Sequence, residues 1–158
     1  MIWYSSYYTK VNSVCNAWAI RARDSDSDIE VGKIVRAALR LFNAPEIGAV
    51  NLLNNTARLL IAKPRMSVTK MGAEDLVLAL GFFHAALDKY GSANFHHRAG
   101  VWYWISVIYE ELNDRQAASN AAFESLKLWQ EQVRLAPDNK SFKDKLEGAQ
   151  NRFEQISA

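Results

Sequence analysis

"VWYWISVIYEEL", residues 101–112, sets three aromatic side chains in a row and a fourth, Tyr109, a turn and a half beyond them. The stretch reads either as a sticky surface or as the inside of a helical protein, and a helical wheel divides it between the two. With Trp102 at the origin and about 100° per residue, Val101, Ile105, Ile108, Tyr109 and Leu112 fall within about 120° on one side. Burying Trp102 with them contributes roughly 2–3 kcal/mol. Tyr103 and Val107 fall on the other side beside Glu110, and Trp104 lies at the border. One side is expected to pack and the other to be available.

The bulk composition agrees with helices. The 158 residues are 49% hydrophobic and 23% charged, with only 7 Gly and 3 Pro to punctuate strands and hairpins. Long stretches of Ala, Leu, Glu, Lys and Arg are helix formers. A chain of this size is expected to fold as a single domain, 1–158, with a helical N-terminal part over 1–66. The single cysteine, Cys15, excludes an intramolecular disulfide framework and fits a reducing compartment. No basic-then-apolar leader opens the sequence, and the longest apolar run, Leu76 to Phe83, is far short of the ~20 residues that span a bilayer. A cytoplasmic location and no membrane association are expected. Net charge is +2, but residues 1–70 carry 10 Lys/Arg against 5 Asp/Glu while the rest carry 9 against 12.

Periodicity marks out seven helical segments. The first, about 4–23, aligns Tyr4, Tyr8, Val11, Cys15, Trp18 and Ala22. After "DSDSD", Ser27 and Glu30 form a capping box for the second, about 28–43, with Val31, Ile34, Val35, Ala38 and Phe42 inward. Pro45 opens the third, about 45–62, with Ile47, Val50, Leu53, Ala57, Leu60 and Ile61 inward. The fourth, about 73–90, spreads Leu76, Val77, Leu78, Leu80, Phe82, Phe83 and Leu87 over nearly all sides, which places it in the middle of the domain. The fifth covers about 95–112, the sixth about 115–135 after the turn at Asn113-Asp114, and a polar seventh about 139–156 after "APDN". Short links imply antiparallel neighbours.

Within 99–137 the spacing becomes specific. Trp102, Ile105, Ser106 and Tyr109 are followed by Ala118, Ser125 and Pro137. This resembles the tetratricopeptide repeat, W-x2-L-G-x2-Y followed by A-x3-F and a closing proline. Ala122 stands where that pattern has an aromatic, with Phe123 one place late, and the second helix is about two turns longer. Ala79, Phe83 and Ala86 give a partial echo upstream. The resemblance implies an all-α fold of antiparallel helix pairs stacked as a right-handed, tetratricopeptide-like superhelix of about seven helices. Residues 67–158 would form the repeat-like part, closed by the solvated seventh helix.

The resemblance also implies a role. In the family, the stripe that Tyr103, Val107 and Glu110 occupy faces the concave groove, with Trp104 at its edge. Members that bind acidic C-terminal tails use Lys and Asn there, so a more apolar protein or peptide partner suits this chain. The expected function is non-enzymatic: an adaptor, chaperone-like or regulatory module. The alternative is a nucleic-acid-associated regulator that uses Lys33, Arg36 and Arg40, which share the polar face of the segment 28–43. The aromatic N-terminal helix, with Trp3, Tyr4, Tyr7, Tyr8 and Trp18, either folds back or forms a homodimer.

Other patterns point to no chemistry. Asp24, Asp26 and Asp28 begin like a calcium-binding loop, but Ile29 and Val35 stand where the turn glycine and the closing glutamate belong. His84, His96 and His97 lack any metal-ligand spacing. Cys15 lies on an apolar stripe, where a thiol is inert. No catalytic motif, metal site or cofactor is expected.

Overall fold

The structure, a computed structural model, describes residues 72–90 and 94–158 together with Arg36, Leu53, Asn54, Thr56 and Ala57. The chain divides into two compact units, Met1–Lys89 and Tyr90–Ala158. All regular structure among the described residues is helical: α1 (Gly72–Lys89), α2 (Phe95–Glu111), α3 (Arg115–Leu135) and α4 (Lys140–Ser157).

This corrects the expected right-handed superhelix of about seven helices. The described residues are all-α, but they contain four helices. The segments 4–23, 28–43 and 45–62 fall outside them, apart from five positions in helical conformation. A periodic stripe shows only that a helix would be amphipathic. Helices of this length are fixed by tertiary packing, and that packing is described for these four alone.

In the first unit, Leu53, Thr56 and Ala57 are fully buried, at the i, i+3, i+4 spacing of one helical face. Helix α1 buries Leu76, Ala79, Phe82, Phe83, Ala86 and Leu87. It is not apolar all round. Val77 is 57% exposed, and His84 and Asp88 are exposed with it. Positions 77, 84 and 88 lie seven and eleven residues apart, on one strip opposite the buried stripe. The expectation of a helix enclosed on every side is overturned by that strip.

The second unit is built outward from one tight turn. Asn113, with φ of 61°, ends α2 in the left-handed region. Its N–H reaches the Glu110 carbonyl at 3.0 Å, and the Asp114 N–H reaches the Tyr109 carbonyl at 2.8 Å. This is the paired-bond helix stop that asparagine tolerates nearly as well as glycine. Asp114 immediately starts α3, its carboxylate accepting from the Ala117 N–H at 3.0 Å. That bond satisfies one of the orphan donors at the helix start.

A turn this short folds α3 back along α2. Ala99, Val101, Ile105, Ser106 and Ile108 are buried on α2, and Ala118, Ala121, Ala122, Ser125 and Leu126 on α3. Small residues on α3 let the helices approach, and the buried Ser125 hydroxyl donates to the Ala99 carbonyl at 2.8 Å.

Helix α4 then packs along α3. Asn139 caps it by accepting from the Phe142 N–H at 3.1 Å. Ile156 is its single buried residue and joins Ala118 and Ala122 in a small core, with Tyr109 and Phe153 packed against it. Phe153 meets Phe123, and Phe142 meets Trp129, with ring centroids 5.4 and 6.0 Å apart. Most other positions on α4 stay exposed or half-buried, as its polar sequence predicts.

Candidate functional site

The residues singled out on α2 form a coherent surface beside α4. Ser106 and Ile105 are both fully buried. Tyr103, one turn back, is 40% exposed and stands edge-on to Trp104, centroids 5.3 Å apart at 77°. Val107 is half-buried and Glu110 exposed. Edge-to-face pairing holds the Tyr103 ring in a fixed orientation, as aromatic quadrupoles favour.

A residue that the sequence reading passed over completes this surface. Arg152, on α4, lays its guanidinium over the Tyr103 ring, 5.1 Å from the centroid. Its Nε donates to the Ser106 Oγ at 2.8 Å, while the Ser106 hydroxyl itself donates to the Tyr103 carbonyl at 2.6 Å. Its Nη2 lies 3.4 Å from a Glu110 carboxylate oxygen. Tyr103, Ser106 and Glu110 are spaced i, i+3, i+7, so they form one ridge of α2 that a single side chain can cover.

The separation of 46 residues between Arg152 and Ser106 hides this contact from any local pattern. A weaker signal was present. Leu146, Ala149, Phe153 and Ile156 make a helical stripe, and Arg152 borders it, where a long cationic side chain can lie along apolar surface.

Beyond Glu110 the surface opens into a cleft of about 460 Å³ lined by Glu110, Asn113, Arg115, Arg152, Gln155 and Ile156. Arg115 is committed to its rim. Its Nε donates to the Ile156 carbonyl at 2.9 Å and its Nη2 to the Ala158 carbonyl at 2.5 Å. These are carbonyls at the end of α4 that lack partners within the helix, at the negative end of its dipole. Ser119 and Ser157 add a hydroxyl pair at 2.7 Å. Arg115 thus anchors α4, and Arg152 is the cation facing the α2 ridge.

At the opposite end of this unit the two neighbouring histidines lie in a chain of rings. His96 and His97 have centroids 3.9 Å apart. His97 stacks on Tyr90 at 5.6 Å, and His96 faces Phe142 at 6.1 Å. Desolvation, and then the adjacent His96, hold the His97 imidazole below its ordinary value of 6.5. Among the described residues no three His, Cys, Asp or Glu side chains are grouped to hold a metal ion. No helix among them is long and apolar enough to cross a membrane.

Of the basic stripe, Arg36 is helical and exposed, while Lys33 and Arg40 lie outside the described residues. So do the Asp24, Asp26 and Asp28 loop, Cys15 and the aromatic N-terminal segment. Compared with protein-family models, curated proteins and solved structures, the chain matches none.

Proposed function

We propose that the chain is a cytoplasmic, non-enzymatic interaction module whose α2 ridge receives a protein or peptide partner, in the manner of a tetratricopeptide-like helix pair. The observation that carries this reading is Tyr103. It is a large aromatic ring, oriented by Trp104 and bordered by half-buried Val107, yet left 40% exposed on a packed helix. Aromatic anchors of this kind dominate protein interfaces because they bring large area at little cost in side-chain entropy.

The resemblance at 99–137 supports the same reading. Ser106 and Ala118, at the small-residue positions of the pattern, are fully buried, and Tyr109 packs against Ala118 and Ala122. Phe123, one place late in the pattern, is 44% exposed, so Ala122 fills the packing position instead.

The test is affinity capture with the unmodified chain and with Tyr103→Ala, each with and without nuclease. A defined protein retained by the unmodified chain and lost by the variant is the expected result. The variant should lose only about 0.5–1 kcal/mol of stability, from the exposed cation–π contact with Arg152. A much larger stability loss would make Tyr103 a packing residue, and retention unchanged by the substitution would remove it from the interface.

A further inference from the structure

The ridge of α2 is already partly covered by the chain itself, and the way it is covered shows what fits it. Arg152 meets three different chemistries on one ridge: a hydroxyl acceptor at Ser106, a ring face at Tyr103 and a carboxylate at Glu110. One turn on, Ile156 drops into the space left by Ala118 and Ala122. Apart from one buried residue, the helix that delivers these groups is held by contacts near the surface: Arg115 on the Ile156 and Ala158 carbonyls, Ser119 on Ser157, and the Phe123–Phe153 and Trp129–Phe142 ring pairs. Ile156 is its one buried residue, and the ion pair with Glu110 is long at 3.4 Å, with the glutamate side chain 57% exposed. Charge-assisted pairs of full strength are shorter, about 2.7–2.9 Å. The Ala136–Asn139 connection separates α3 from α4, and Ala136 has left the helical region, with φ of −137°. Helix α3 ends at Leu135 and α4 begins at Lys140, so displacing α4 would break no hydrogen bond of the α3 ladder.

We propose that α4 is a displaceable occupant of the α2–α3 face, and that the partner is an amphipathic helix that takes its place. That helix presents an arginine, an aromatic residue directly after it and a branched aliphatic three positions further on, as Arg152, Phe153 and Ile156 do. Ser106 is fully buried, with Arg152 bonded to its hydroxyl, so a partner that uses that hydroxyl must first remove Arg152. The inference rests on the interaction-module reading for the position of the site and adds what fills it.

The probe is a fluorescein-labelled peptide of residues 140–157, titrated by anisotropy against the full chain. The peptide competes with the chain's own α4, so its apparent affinity is reduced by the fraction of time that helix is away. Ile156→Ala in the chain, with the peptide unchanged, loosens only the competitor and should tighten binding about tenfold. Arg152→Ala in the peptide should weaken binding about tenfold.

Hydrogen exchange on the unmodified chain gives a readout that needs no substitution, and it decides the matter should Ile156→Ala lose its fold. Amides of α4 should open well before those of α2 and α3. Absence of saturable binding to either chain, or α4 amides protected as strongly as those of α2, overturns the proposal. Equal binding of the Arg152→Ala peptide overturns the role of the arginine. Dimerisation of the chain that the peptide abolishes would assign the face to the α4 of a second copy and overturn the separate partner. A failed peptide titration alongside an intact Tyr103→Ala effect would leave the module standing and remove helix exchange alone.

Discussion

Single side chains in the second unit carry roles that their residue types do not announce. Ser125 is one. Its hydroxyl is buried and spent on the Ala99 carbonyl, so Ser125→Ala should cost about 0.5–1.5 kcal/mol in chemical denaturation, the usual net worth of such a bond. A value near zero would show the two helices closing over the loss. His97 is another. Its imidazole titrates below its ordinary value because it is partly desolvated and beside His96. The folded state thus favours the neutral ring. The stability this contributes is present above about pH 6.5 and is lost as the pH falls through the lowered folded value. The thermal midpoint of the unmodified chain should therefore drop more steeply on acidification than that of His97→Gln, with the two curves parallel at neutral and alkaline pH. Parallel curves throughout would remove the histidine from the acid response. The outer face of α3 carries no comparable weight. Arg134 donates through Nε and Nη2 to the two Glu131 carboxylate oxygens and holds that carboxyl below its ordinary pKa, but an exposed pair one turn apart contributes little.

At the scale of the element, capping decides where helices begin and end. Asp114→Ala removes the acceptor for the Ala117 N–H and should cost about 1 kcal/mol, read as a shift of the denaturation midpoint with unchanged slope. Asn139→Ala removes the matching bond on α4 and should fray that helix while α2 and α3 keep their protection. These caps also explain what was legible in the sequence. The expected segments 73–90, 95–112, 115–135 and 139–156 lie within a residue or two of the observed helices, because Asp114 and Asn139 signal their own positions locally. The packed arc of α2 was legible in part for the same reason, since a wheel depends only on neighbours in sequence: Val101, Ile105 and Ile108 are buried, while Trp102, Tyr109 and Leu112 are half-buried. The exposed strip of α1 was not. Val77 is as apolar as Leu76, and only the tertiary neighbourhood separates a buried side from an open one. Arg152 was not legible either, because its partners are supplied by a different helix.

For the whole molecule, composition pointed to the helical class through its scarcity of glycine and proline, and the described residues are all-α with four helices. The charge division does not follow the two units closely, and the one described member of the basic stripe, Arg36, is exposed. The second unit alone brings together the groups from which the function is argued, and it does so with three helices, since α3 packs against both α2 and α4.

The Asn113-Asp114 turn also sets an order of events. One residue ends a helix and the next begins another, so α2 and α3 meet through contacts close in sequence, such as Tyr109 against Ala118. Such contacts form early because little chain entropy is lost in closing them. The polar bonds that seat α4 join residues 38 to 46 positions apart, and those from Arg152 to the α2 ridge await a finished hairpin. Refolding should thus run in two kinetic stages, the second read by pulse-labelling hydrogen exchange as protection of the α4 amides that lags behind that of α2 and α3. The last helix to dock is then the first to leave, which is the order that the proposed helix exchange needs.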